Sequence, residues 1–250
     1  MEYGMRNRRA EPIPTSIPSS EFRIPNFART VWLVLRKDVA VEWRSREVLY
    51  TTTFFALACV LIFAFGLVKE GTPAPEVAAA ILWIAIAFSG TLALGRAFER
   101  ERQNATLRGL LLVPAERAAL YVGKLAGILC LMVAIEILVV PLIGLMFQAP
   151  LLRAPFMIAA VIGAGTLGFA AVGTLFAAML VRAHSRDVLL PVLLYPMTVP
   201  VLIAGVRGTA ALFQAEMDLE SARMWLSMLG FFDAVFVTLA LWTFEPVMTE

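Results

Sequence analysis

The sequence predicts an all-α polytopic membrane protein: six transmembrane helices preceded by an N-terminal amphipathic helix in the membrane interface. Three observations carry that expectation. The 250 residues are 60% apolar and only 16% charged, with a mean hydropathy of +0.81. Soluble chains average about 45–50% apolar and about 25% charged. Six apolar runs are each long enough to cross a hydrocarbon core of about 30 Å. The Lys and Arg residues between those runs fall mostly on one side, the signature of a fixed membrane orientation. So few polar residues could not cover a soluble enzyme of this size, and overall disorder is excluded for the same reason. A net charge of +2, from 21 basic and 19 acidic residues, is not the footprint of a nucleic-acid binder.

Residues 1–26 carry Pro12, Pro14, Pro18 and Pro25 with Arg6, Arg8 and Arg9. This composition predicts a disordered tail. No apolar run follows the basic residues closely, so it does not read as a signal peptide. Residues 27–250 are the membrane domain. Within 27–47, Trp32, Leu35, Val39 and Trp43 recur at helical spacing and share one face. Lys37, Asp38 and Arg44 lie away from that face. Trp32 and Trp43 read as interfacial anchors; the alternative is an ordinary amphipathic helix packed on protein.

The six runs are 48–68, 76–95, 118–147, 155–181, 187–206 and 225–244. Nine Lys and Arg residues precede the first, five lie between the second and third, and two between the fourth and fifth. The opposite side carries one, one and two. The balance, sixteen against four with Lys124 set aside, places both termini in the cytoplasm. Residues 207–224, with Glu216, Asp218 and Glu220, have the composition of a short external helix.

The loop 96–117, RAFERERQNATLRGLLLVPAER, is the most informative segment. Residues 96–102 extend a helix out of the membrane with dense alternating charge. Asn104, Ala105 and Thr106 break it. Leu107, Leu110 and Leu111 then recur at helical spacing and stop at Pro114. A short helix with an exposed leucine face suits a partner's groove; the alternative is that it lies on the membrane surface or packs on the N-terminal helix.

Two acids, Glu136 and Asp233, fall inside apolar runs, where charge is costly and usually faces the bundle interior or a wet cavity. Counted along the runs, both fall in the outer half of the bilayer. They read either as lining an externally open substrate cavity or as carboxyls that are protonated or hydrogen-bonded to a neighbouring hydroxyl. The fifth run holds Pro191, Pro196 and Pro200, which predicts a kinked or broken helix, serving as a hinge or pathway wall or present simply as a static kink. Tyr195 and Thr198 could bond the carbonyls so freed. Gly123, Gly127, Ala164 and Gly168 are small residues at spacings that permit close helix packing. Cys59 and Cys130 read as packing residues. The lone His184 and the absence of a clustered ligand set predict no metal site. No GxxxxGK[ST], HExxH or GxSxG motif occurs in the sequence.

The stretch 92–127, LALGRAFERERQNATLRGLLLVPAERAALYVGKLAG, resembles the coupling segment of ABC-2-type permeases. With GAGTLGFAAVGTLFAAMLVRAHSRDVLLPVLLYPMTVPVLIAG and the N-terminal WLVLRKDVAVEWRSRE, the chain resembles the CcmB family, the permease subunit of the cytochrome c maturation system. The resemblance covers residues 27–245. It implies a bacterial inner-membrane subunit of haem export or handling that is itself not an enzyme, and that either carries haem or relays ATP-driven motion to a haem-handling subunit. It binds no cofactor directly, and ATP sits in a separate CcmA-like ATPase. Arg100, Arg102, Thr106, Leu107, Arg108, Leu110 and Leu111 would engage that ATPase. CcmC- and CcmD-like membrane proteins would pass haem to the chaperone CcmE, and a second copy of the chain would complete the pathway within the lipid bilayer. The alternatives are a permease for a lipid, drug or polysaccharide, or a non-transporting scaffold for haem-delivery subunits.

Overall fold

A computed structural model describes residues 26–67, 74–103, 117–180 and 186–247. The described residues form seven helices: α1 (Phe27–Ser45), α2 (Glu47–Leu67), α3 (Pro75–Gln103), α4 (Arg117–Phe147), α5 (Pro155–Met179), α6 (Arg186–Phe213) and α7 (Leu219–Val247). The last six are long and apolar enough to cross a membrane. Among the described residues the fold is all-helical, as a polytopic membrane protein requires, and the six candidate spans correspond to the six runs read from sequence.

The ends differ from the sequence expectation in two places. The segment 207–224 does not hold a separate external helix. α6 continues to Phe213 and α7 already begins at Leu219. The turn between them is short because Asp218 caps α7, its carboxylate accepting the Ser221 N–H at 2.9 Å. Bonds from the Ser221 side chain and backbone hold the Asp218 carboxyl below its ordinary range. Arg153, in the turn before α5, donates to the Ala215 carbonyl at 2.8 Å and ties the two turns together. The second concerns α6, expected to be kinked or broken: it is not broken, and runs as one helix from Arg186 to Phe213 with Pro191, Pro196 and Pro200 inside it. Apolar packing on α3, α5 and α7 holds it helical despite three missing N–H donors.

α3 and α5 are the central helices, with 67% and 61% of their apolar windows buried, against 17% for α7. Hydrocarbon tails are as apolar as the helices, so close van der Waals contact must hold the bundle together. The glycines show where. Trp83 of α3 is buried and its indole lies where a Cβ on Gly165 of α5 or Gly205 of α6 would stand. The indole N–H donates to Thr209 Oγ1 at 3.0 Å, so the one polar group carried into the slot is satisfied. Lower on the same seam Leu94 fills the space over Gly173, and Phe169 with Met132 covers Gly90. Tyr121 of α4 donates to the Ala171 carbonyl at 3.0 Å and packs its ring on Phe244.

Gly165 and Gly163 lie two residues apart on α5, yet an added Cβ meets Trp83 at the first and nothing within 4 Å at the second. Gly165→Ala should therefore lower the Tm of the detergent-purified protein while Gly163→Ala leaves it unchanged or slightly raised. Overpacking of this kind costs about 1–3 kcal/mol, and each kcal/mol moves Tm by about 2–4 °C in a chain of this size. Equal behaviour of the two variants would show that the tryptophan slot does not hold the bundle.

Candidate functional site

The first candidate region is built where α1 meets the bundle. α1 lies on α4 and scarcely touches α2. Its buried residues are Thr30 and Val34, and Val34 sits over Gly123, where an added Cβ would come within 2.7 Å. One turn on, Asp38 sits over Gly127 at 3.2 Å. Two glycines four apart on α4 thus receive two α1 residues four apart, one helical turn to one helical turn. The Lys124 ammonium, on a side chain only 11% exposed, donates to Asp38 at 2.7 Å. Lys37 approaches the other carboxylate oxygen at 3.1 Å. The face carrying Trp32 and Trp43 points away from the protein, at 60% and 75% exposure. α1 is therefore amphipathic in an unusual sense: a small face docks on α4 and the aromatic stripe faces out.

Between α1 and α2 the chain turns at Arg46, which adopts the left-handed conformation with φ 53, uncommon outside glycine. Neighbouring groups fix the elbow. The Arg46 N–H reaches the Glu42 carbonyl at 2.6 Å. The Glu42 carboxylate accepts the Leu49 N–H at 2.8 Å, satisfying one of the orphan donors that open α2. The Arg46 guanidinium lies over the Trp43 ring, 5.4 Å from its centroid. Beneath the elbow is a cavity of about 590 Å³ bounded by α1, α2, the charged end of α3 and the first half of α4.

The second region is a layer of acids in the middle of the bundle. Glu136 and Asp233 are both buried. Glu136 accepts a hydrogen bond from the Thr166 hydroxyl of α5. Asp233 presses Oδ1 toward Gly168 of the same helix, 2.5 Å from where a Cβ would stand. That oxygen has no hydrogen-bond partner in the structure. Residues 166 and 168 are about 200° apart around a helix, so α5 stands between the two carboxyls. The early start of α7 moves Asp233 deeper than its run suggested: it is 14 residues from Leu219, about 21 Å at 1.5 Å per residue. Neither acid borders the elbow cavity.

On α6, Pro196 and Pro200 face outward while Leu194, Thr198 and Val201 face in. Thr198 donates to the Leu194 carbonyl at 2.9 Å, which is not one of those freed by the prolines. Tyr195 is half-buried, its hydroxyl 3.3 Å from that of Thr91 on α3 and its ring edge-on to Phe88. Gly168 lies at the contact with α7, whereas Ala164 is half-buried. Thr106, Leu107, Arg108, Leu110 and Leu111 lie outside the described residues, as does His184; the backbone of Arg100 and Arg102 belongs to the last turn of α3. Among the described residues no three His, Cys, Asp or Glu side chains converge as metal ligands would.

Residues 29–248 match the family described as CcmB protein. The chain belongs to the CcmB family. It is 26% identical over 188 residues to the heme exporter protein B of Bradyrhizobium diazoefficiens, covering 74% of this chain and 83% of the relative. To the protein of the same name from Paracoccus denitrificans it is 30% identical over 153 residues, 61% and 69% of the two chains. To that of Escherichia coli K12 it is 27% identical over 189 residues, 75% and 84%.

In this CcmB chain the sequence reading missed the elbow. Arg46 gave no signal, since no glycine or asparagine marks the left-handed turn. Asp38 and Lys124 lie 86 positions apart, and only the fold brings them together. One signal was available: Lys124 sits in the same turn as Gly123 and Gly127, and a cation beside a small-residue step asks what fills the step.

Gly123→Leu or Gly127→Leu should expel α1 from its seat on α4. Limited trypsin digestion of the purified protein would then cut at Arg36 and Lys37 much faster than in the parent. Gly95→Leu, at a position with open space around the Cβ, should leave the digestion rate unchanged. Protection that survives both seat substitutions would mean that α1 is held by something other than α4.

Proposed function

We propose that the chain is the membrane permease subunit of an ABC-type haem exporter serving cytochrome c maturation, driven by a separate CcmA-like ATPase. The observation that carries this reading is the family match across residues 29–248, joined to relatives named heme exporter protein B. The geometry supports it in one further respect. α3 extends as a helix to Gln103, beyond its apolar span ending at Glu99, and α4 starts at Arg117. The end of α3 and the start of α4 both lie on the side that carries α1. By the count of Lys and Arg that side is the cytoplasm of a bacterial cell, where ATP is available.

In this reading Leu107, Leu110 and Leu111 enter a groove on the ATPase, flanked by Arg100, Arg102, Thr106 and Arg108. Motion of that contact passes along α3 and α4 to the mid-bundle layer of Glu136 and Asp233. The three prolines of α6, two of them facing outward, support its assignment as a pathway wall. Each frees a carbonyl four residues back, at 187, 192 and 196, and such carbonyls suit a surface that meets protein or water rather than lipid. A second copy of the chain, with CcmC- and CcmD-like subunits, would supply the facing wall and deliver haem to CcmE.

Leu107→Asp and Leu110→Asp should each abolish co-purification of the ATPase from gentle detergent extracts while the permease still inserts and elutes as a monodisperse peak. Affinity for the ATPase should fall by the roughly hundredfold expected when about 3 kcal/mol of anchor contact is removed, and cytochrome c maturation should fall with it. Normal ATPase recovery with either variant defeats the docking surface. Retained maturation with an ATPase-dead partner would favour a haem-delivery scaffold over a driven exporter.

A further inference from the structure

The elbow cavity takes no part in the coupling reading, and its shape and charge call for a ligand of their own. We propose that it binds an anionic phospholipid, with an acyl chain along α4 and the phosphate at Arg46 and Lys37. The cavity follows one face of α4 from Lys124 through Ile128 and Leu131 to Ala134. That is ten residue steps, about 15 Å of helix. One end is polar, with Lys37, Asp38, Glu42, Arg46 and Lys124; the other is wholly apolar. A groove polar at the interface and apolar toward the membrane centre has the polarity of a lipid in the same leaflet.

Its place in the fold agrees. The mouth lies at the α1–α2 elbow, where exposed Trp43 and Tyr50 mark the headgroup level. A volume of about 590 Å³ is in the range of small-ligand sites, about 300–1,000 Å³. The walls offer water few partners away from the mouth, so an acyl chain is the better occupant.

The charge selects an anionic headgroup. Three cations and two acids line the cavity. Asp38 is shared between Lys37 and Lys124, and Glu42 is engaged with the Leu49 N–H. Arg46, exposed on the mouth, contacts only neutral groups among the described residues: the Trp43 ring and carbonyl, and the Tyr50 hydroxyl at 3.4 Å. A guanidinium carries five donors in a fork that fits phosphate, and two of them are used here.

The test uses the full-length protein, delipidated in mild detergent and offered equal phosphatidylglycerol and phosphatidylcholine, with bound lipid counted by native mass spectrometry. The parent should retain phosphatidylglycerol preferentially. Arg46→Ala and Lys37→Ala should each weaken that preference about fivefold, the fold-change of one interfacial cation worth about 1 kcal/mol, with phosphatidylcholine unaffected. Leu131→Trp, which fills the apolar end, should lose the bound lipid of either kind. Should it fail to fold, Ala134→Leu makes the same test with a smaller side chain. Glycerol 3-phosphate, a headgroup without chains, should not compete. Equal retention of the two lipids by the parent, or phosphatidylglycerol held undiminished by the filled cavity, overturns the proposal. Full competition by glycerol 3-phosphate overturns it too, in favour of a soluble phosphate at the same cations.

Discussion

The bundle depends on Trp83 lying across two glycines. In water, burying an indole would drive folding by itself; in a bilayer it would not, because the lipid offers an equally apolar alternative. What the site supplies is contact density. Gly165 and Gly205 let the indole lie against the backbones of α5 and α6 at once. Each atom pair there contributes about 0.1–0.2 kcal/mol, and a ring held on both faces makes dozens. The polar edge bonds Thr209, so close approach carries no unsatisfied donor. α3 and α5 become central for this reason, and the other four spans take places around them.

The same device seats α1, with an electrostatic addition. Gly123 and Gly127 provide the step for Val34 and Asp38. Lys124 lies within the apolar start of α4, where an uncompensated ammonium would be expensive. Asp38 compensates it. Removing either partner would leave a charge poorly solvated, so the pair specifies where α1 can sit more than it adds stability. Once α1 is placed by α4 and α2 is pinned by Glu42, the elbow at Arg46 has little freedom. The cavity below it is the space left where α1 is seated on α4 while α2 packs on α3 as well as α4, so that α1 and α2 scarcely touch.

Most of the fold was legible in the sequence. Run length and apolarity set the six spans, because hydrocarbon thickness is an external ruler. Helix ends were less legible. Charged Glu220 and Arg223 look like loop residues in a hydropathy trace, yet the Asp218 cap carries the helix through them. The prolines of α6 read as a kink or a break; a break is what does not occur, because propensity counts the lost donors and not the three neighbouring helices packed on the segment. The small residues of α4 were legible as packing positions, but their partner was not. The partner is not another span but α1, whose docking face of Thr30, Val34 and Asp38 shows no apolar stripe. The visible stripe, with Trp32 and Trp43, is the one that faces out.

The seams decide how force from the loop after α3 would travel. α3 is joined to α5 along its length, at Trp83 with Gly165, at Gly90 with Phe169, and at Leu94 with Gly173. α4 is joined to α5 at Glu136 with Thr166 and at Tyr121 with the Ala171 carbonyl. A displacement applied to the ends of α3 and α4 must therefore carry α5 with it, since sliding any one of them would lift a side chain out of a glycine slot or part a buried hydrogen bond. The softer elements lie at the periphery. α6 lacks three backbone donors, and α7 has the smallest buried share of the six spans. Asp233 stands on α7 against Gly168 of α5, with its Oδ1 unpartnered. It occupies the boundary between the stiff trio and the soft pair, and a shift of one against the other changes the surroundings of that carboxyl before those of Glu136, which moves with the trio.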